Sequence, residues 1–134
     1  MSDEDLDTVR DYVKAARRLL QDKRQPYRYT DDAIVDALNN ALGEAKRLRA
    51  DFFVRMHGHV PHFSADSEAA YVPIERQFRL GFVHGIVWQV YEQDQEDVND
   101  ERAASYMASF QAVLTGVQTP PIHGGTPGPG NAQR

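Results

Sequence analysis

Residues 73–91 read PIERQFRLGFVHGIVWQVY, and this pattern decides the fold. Ile74, Phe78, Leu80, Phe82, Val83, Ile86, Val87, Trp88, Val90 and Tyr91 spread around most of a helical wheel instead of keeping to one stripe. A helix that is apolar nearly all round belongs in the interior, since any exposed side leaves hydrocarbon in water. At 1.5 Å per residue it would run roughly 28 Å, the width of a small domain. Pro73 suits the first helical turn, where a missing N–H forfeits nothing. Glu75, Arg76, Arg79, His84 and Gln89 interrupt the segment too often for a membrane span. It is expected to be the central helix of an all-α domain.

Gly81 and Gly85 lie one turn apart in this segment, and each costs about 1 kcal/mol relative to alanine inside a helix. Something offsets that cost. The plainer reading is a neighbouring helix crossing where side chains are absent; the alternative is a groove for a partner chain.

Upstream, residues 2–24 read as an amphipathic helix. Leu6, Val9, Val13, Ala16, Leu19 and Leu20 share one side, with Arg10, Asp11, Lys14, Arg18 and Asp22 opposite. Ser2 or Asp3 is the expected cap, Asp3, Glu4, Asp5 and Asp7 suit the positive dipole end, and Lys23 and Arg24 suit the other. Arg17, Arg18, Lys23 and Arg24 read as a solvated helix end, with a phosphate-facing patch as the alternative. Pro26 forces a short link. Thr30, Asp31 or Asp32 then caps a second helix carrying Ile34, Leu38, Ala41, Ala45, Leu48 and Phe52 at helical spacing. Helices joined this closely pack as an antiparallel hairpin, with Gly43 on the polar side.

Periodicity stops over residues 54–72, and loops this long are usually functional or mobile. A projecting loop or small hairpin is expected, with Phe53, Val54, Met56, Val60 and Phe63 seeking a partner surface. His57, His59 and His62 invite a zinc reading because imidazole is a common ligand, but their spacing matches no zinc motif and no HExxH helix is present.

Downstream of the central segment, DQEDVNDE (residues 94–101) gathers five acids and reads as a solvated turn without calcium-loop spacing. Asn99 or Asp100 caps a fourth helix with Ala103, Tyr106, Met107, Phe110, Val113 and Leu114 on one face, stopped at Gly116. Residues 117–134, VQTPPIHGGTPGPGNAQR, contain no acid and too much proline and glycine for a helix or core, so an extended tail is expected. The fold expectation is thus an antiparallel four-helix bundle-like domain at residues 1–116, with a long loop between helices two and three and an extended C-terminal tail.

The chain's 134 residues fit one core. Without cysteine, disulfides and thiolate sites are excluded. A formal charge of −5 and a pI near 5.4 oppose a protein that grips nucleic acid through a basic patch. The opening residues lack a basic stretch followed by an apolar run, so no secretory signal is expected and the chain is expected to be a soluble protein made in the cytoplasm.

The residues resemble the head-to-tail adaptor (connector) proteins of tailed bacteriophages. The resemblance lies in RRLLQDKRQPYRYTDDAIVDALNNALGEAKRLRAD (residues 17–51) and continues over residues 73–110 in the order proline, apolar helix, Tyr-x-x-Asp turn, and an alanine-rich helix with Tyr106 and Phe110. The loop and the tail match in kind and not in residues. The resemblance implies a virion structural protein without catalysis, metal or cofactor, made in the host cytoplasm and placed in the virion neck. It implies a homo-oligomeric, dodecameric ring under the portal protein, touching the next tail or nozzle protein while genomic DNA passes through the bore. Thr119, Pro120, Pro121, Ile122 and His123 would then be the portal-binding residues, and a negative body would discourage DNA from sticking. Three other readings stand beside it: a small metal-dependent enzyme using His57, His59 and His62, a helical regulator binding a protein or DNA, and a stopper or tail-completion protein.

Overall fold

The computed structural model describes residues 6–22, 24–49, 51, 53, 58–94 and 100–116. Among these residues there are four helices and no strand: α1 (Val9–Leu20), α2 (Asp31–Leu48), α3 (Arg76–Gln93) and α4 (Asp100–Thr115), with one 3-10 turn at Ala65–Ser67. None of these helices is long and apolar enough to cross a membrane.

The first helix is shorter than its amphipathic pattern predicts. Thr8 stops it from starting earlier: its hydroxyl accepts from Asp11 N (3.3 Å) while Asp11 Oδ2 accepts from Thr8 N (3.0 Å), a reciprocal capping box. Residues 7 and 8 are extended because they pair elsewhere, Thr8 bridging Tyr71 and Asp7 O accepting from Val72 N at 2.8 Å. The expected caps Ser2 and Asp3 lie outside the described residues. At the other end Gln21 takes a left-handed conformation, φ 57°, and closes α1 before Lys23 and Arg24. In α2, Thr30 supplies the expected cap by accepting from Ala33 N at 3.1 Å. The link between these two helices contains a cis Gln25–Pro26 peptide.

α3 packs against α1, α2 and α4, most extensively against α4. Phe78, Phe82, Val83, Ile86, Val87, Trp88 and Val90 are all buried, as their wide distribution on the wheel predicts. Pro73 is not in its first turn. The helix begins after Glu75, and Val72 and Ile74 are buried in an extended lead-in. The Phe82 ring joins three helices, standing edge-on to Tyr12 (centroids 5.6 Å) and tilted against Phe110 (6.4 Å).

The two glycines of α3 mark the closest approach of α4. A Cβ on Gly81 would lie 2.6 Å from Val113 Cβ, and one on Gly85 would lie 2.6 Å from Phe110 Cε1. A neighbouring helix of the same chain therefore fills the groove, which decides between the two readings of these glycines. Gly116, with φ 73°, ends α4 as expected.

The described part of the excursion between α2 and α3, residues 58–72, is tied to the helices. Gly58 O accepts from Lys46 Nζ (2.7 Å), and Asn39 holds Phe63 from both sides, donating to its O (2.8 Å) and accepting from its N (2.9 Å). Val9 N and Arg10 N then donate to Ala70 O and Glu68 O at 3.0 and 2.9 Å. The segment is a strap sewn across α2 and α1. What periodicity could not signal is this use of side chains and helix-start N–H groups, which satisfy an irregular backbone as a ladder would.

Alanine replacements should separate the glycines. Gly43 has open space around its missing Cβ, so Gly43→Ala should raise stability by about 0.5–1 kcal/mol through helix propensity. Gly85→Ala would press on the fully buried Phe110 ring and should lose about 1–2 kcal/mol, overpacking outweighing the propensity gain. Urea unfolding of both variants checks this, and equal gains would contradict the close α3–α4 crossing.

Candidate functional site

The residues expected to face a partner do not all do so. Phe53 is wholly buried and Phe63 is buried in the same core, while Val60 packs partly against it. Phe53 and Phe63 complete the chain's own interior, which corrects the outward-facing role expected of them, while Val60 is half-buried at its edge. Val54, Met56 and His57 lie outside the described residues, as do Thr119, Pro120, Pro121, Ile122 and His123. His59 and His62 are exposed. No group of three histidine, aspartate or glutamate side chains poised for a metal occurs among the described residues.

The densest polar chemistry lies where α1 turns into α2. Arg17 and Asp22, both expected on the solvated side, are 6% and 8% exposed. Arg17 Nη1 donates to Asp22 Oδ2 and to Tyr29 O, each at 2.9 Å, and Nη2 donates to Asp31 Oδ1 at 2.6 Å. The Tyr27 ring covers the guanidinium at 3.9 Å. Asp22 also accepts from the backbone N of Arg28 (2.8 Å) and of Tyr29 (3.0 Å). So Arg17 is an internal tie and not a phosphate contact. The sequence signal for it was the run Gln21 to Asp32, rich in charge and turn formers but too short to leave Arg17 in water.

A second set of contacts carries the network to the end of α3. Asp94 Oδ2 accepts from Arg28 Nη2 (2.8 Å) and from the Tyr29 hydroxyl (2.6 Å). Burial and the bond to Asp94 push the Tyr29 phenol up to about 12, so it remains a proton donor at neutral pH.

Against this network lies a groove of about 310 Å³ between α1, the start of α2 and the strap. Val9, Val13, Val35 and Ala65 supply its apolar lining, and Tyr27 stands on its rim, 41% exposed. Arg10 pairs with Glu68 at one edge. A notch of about 250 Å³, lined by Lys14, Arg17, Arg18 and Tyr27, adjoins it. An apolar floor beside cationic side chains can hold an elongated ligand with a negative group. Sequence reading noted Arg18 but missed the groove, because Val35 and Tyr27 come from separate segments.

Elsewhere, His84 Nδ1 and Ser109 Oγ share a hydrogen bond of 2.6 Å between α3 and α4, with Tyr106 edge-on to the imidazole. Burial pulls the imidazole below its ordinary range. Among the described residues no carboxylate hydrogen-bonds this pair, so the arrangement ties two helices and lacks the orienting third member of a nucleophilic triad. Comparison with known protein families, curated proteins and solved structures finds no match for this chain.

Two outcomes follow from these ties. Arg17→Met would leave Asp22 buried without its cation and should cost about 3 kcal/mol in urea unfolding, whereas Arg47→Met, removing an exposed pair with Glu44, should cost less than about 0.5 kcal/mol; similar losses would deny the buried pair its role. For His84 the folded pKa is depressed, so the unfolded chain takes up its proton first. Its contribution is complete above pH 6.5, the ordinary imidazole value, and declines as pH falls through it. Stability measured between pH 8 and pH 5 should therefore fall less steeply in His84→Gln than in the parent chain, and superimposable profiles would remove the assignment.

Proposed function

We propose that this chain is a structural adaptor of a virion neck, forming a ring of identical copies under the portal protein and linking capsid to tail. The observation that carries the reading is the order of its parts. The segment that resembles the adaptor proteins, residues 17–51, covers the last turn of α1, the link and α2, and includes Asp22, Tyr29 and Asp31, which hold Arg17. α3 and α4 follow in the same order, with the tail after Gly116.

In this reading the helices form an antiparallel four-helix body, residues 117–134 are the arm that meets the portal through Thr119, Pro120, Pro121, Ile122 and His123, and the ring also contacts the next tail or nozzle protein. The protein acts by assembly and performs no catalysis. Since Phe53 and Phe63 serve the core, contacts between copies fall to half-buried Val60 and to exposed side chains such as Tyr71 and Leu80, each 58% exposed. The net charge of −5 suits a bore through which DNA passes without being held.

The test is the mass in solution by light scattering, for the full chain alone and mixed with a portal ring of a tailed phage. A large defined complex should form with the portal, and removal of residues 117–134 should abolish it while the circular dichroism of the helical body is unchanged. A truncated chain that still docks would refute the role of the tail. A full chain indifferent to every portal tried would refute the adaptor reading.

A further inference from the structure

We propose that residues 64–71 form a latch across the start of α1, closed in this structure and able to lift while the four helices stay packed, with the buried Tyr12 hydroxyl as the group that favours lifting. The latch is independent of the virion reading.

Burial defines the moving part. Phe63 and Val72, 9% and 0% exposed, are pegs in the core, and no residue between them is buried. The 3-10 turn at Ala65–Ser67 carries its own bonds, Ser67 N donating to Ser64 O (2.9 Å) and Ala70 N to Ser67 O (2.8 Å). The span reaches α1 through two backbone bonds, Val9 N to Ala70 O and Arg10 N to Glu68 O, and through the exposed Arg10–Glu68 pair. Lifting it gives up these contacts and the partly buried side chains of Ala65 and Ala70. A segment that buries so little hydrocarbon belongs to the low end of a protein's opening free energies.

The hydroxyl supplies a reason to lift. Tyr12 is wholly buried, and its hydroxyl has no hydrogen-bond partner among the described residues. Its ring stands edge-on to Phe82 in the core. Burial raises the phenol's pKa, and the ionisable groups that act on it are Arg79, Asp7, Tyr71 and Asp11. The hydroxyl therefore faces the end of the span, where Tyr71 lies opposite Thr8. Arg79 is engaged beside it, Nε donating to Ile74 O (2.9 Å) and Nη1 pairing with Asp7 at 3.3 Å. A buried hydroxyl without a partner forgoes the bonds that water gives it. Lifting Tyr71 admits water, so hydration of the hydroxyl offsets part of what is lost at Ala70 O and Glu68 O.

Amide hydrogen exchange of the full chain, read by NMR, tests the latch. In the parent, the Val9 and Arg10 amides should exchange faster than Ile86 and Val87 of α3 and with little dependence on low urea, the mark of a local opening. The Phe63 amide, held by Asn39, should exchange more slowly than Val9 and Arg10. Tyr12→Phe keeps the ring and removes the hydroxyl. It should slow exchange at Val9 and Arg10 by about tenfold and raise the urea midpoint. Unchanged or faster exchange in the variant, a lower urea midpoint or loss of the fold would mean that the hydroxyl is bonded in the closed state, by an ordered water or otherwise, and overturns the proposal. So does parent exchange at Val9 and Arg10 that matches Ile86 and Val87 in rate and urea dependence, because the span would then open only with the whole fold.

Discussion

Much of this structure depends on one buried cation. The Arg17 guanidinium holds together three pieces of backbone that periodicity alone would leave loosely related: the end of α1, the link through Tyr29 and the start of α2 at Asp31. Removing an arginine and a carboxylate from water is costly, and such a pair persists when its remaining polar atoms are satisfied. Here they are, because Asp22 also receives two backbone N–H groups of the link. The geometry of the α1–α2 corner and the wall of the adjacent groove are therefore consequences of the same bonds.

The other half of the molecule is held by shape. Where α3 lacks side chains, Val113 and Phe110 of α4 enter, so a propensity loss in one helix is offset by close packing between two. Trp88 and Phe82 then meet Phe110 at ring separations of 5.9 and 6.4 Å. Polar ties dominate the α1–α2 corner and packing dominates the α3–α4 contact, with α3 belonging to both through Asp94.

The all-helical character was legible because apolar spacing is a direct record of which face is buried. It was strongest in α3, where seven of the apolar residues are buried although Leu80 is 58% exposed, and in α2 and α4, whose cap at Thr30 and stop at Gly116 fall where residue chemistry places them. It failed at Thr8, where a capping box and pairing with the strap override an amphipathic pattern that runs further upstream. It failed again at Arg17 and Asp22, since a local pattern assigns charges to water and cannot see that each is the other's solvent. Phe53 and Phe63 looked like an adhesive loop because their burial lies in a core gathered from distant parts of the chain, with Asn39 holding the Phe63 backbone. The groove was hidden for the same reason.

The Asp94 contact has a kinetic side. Arg17 bonds to groups 5 and 14 residues away, whereas Tyr29 and Asp94 are 65 residues apart. On loop-closure entropy alone, joining ends 65 residues apart costs about 1.4 kcal/mol more than joining ends 14 apart. The α1–α2 corner can therefore organise from local contacts early in folding, while the tie to α3 must await the chain's return. The same ordering run backwards makes the Arg28–Tyr29–Asp94 tie a natural first point of opening, a separation of the α1–α2 corner from the end of α3 that leaves each with its own internal bonds.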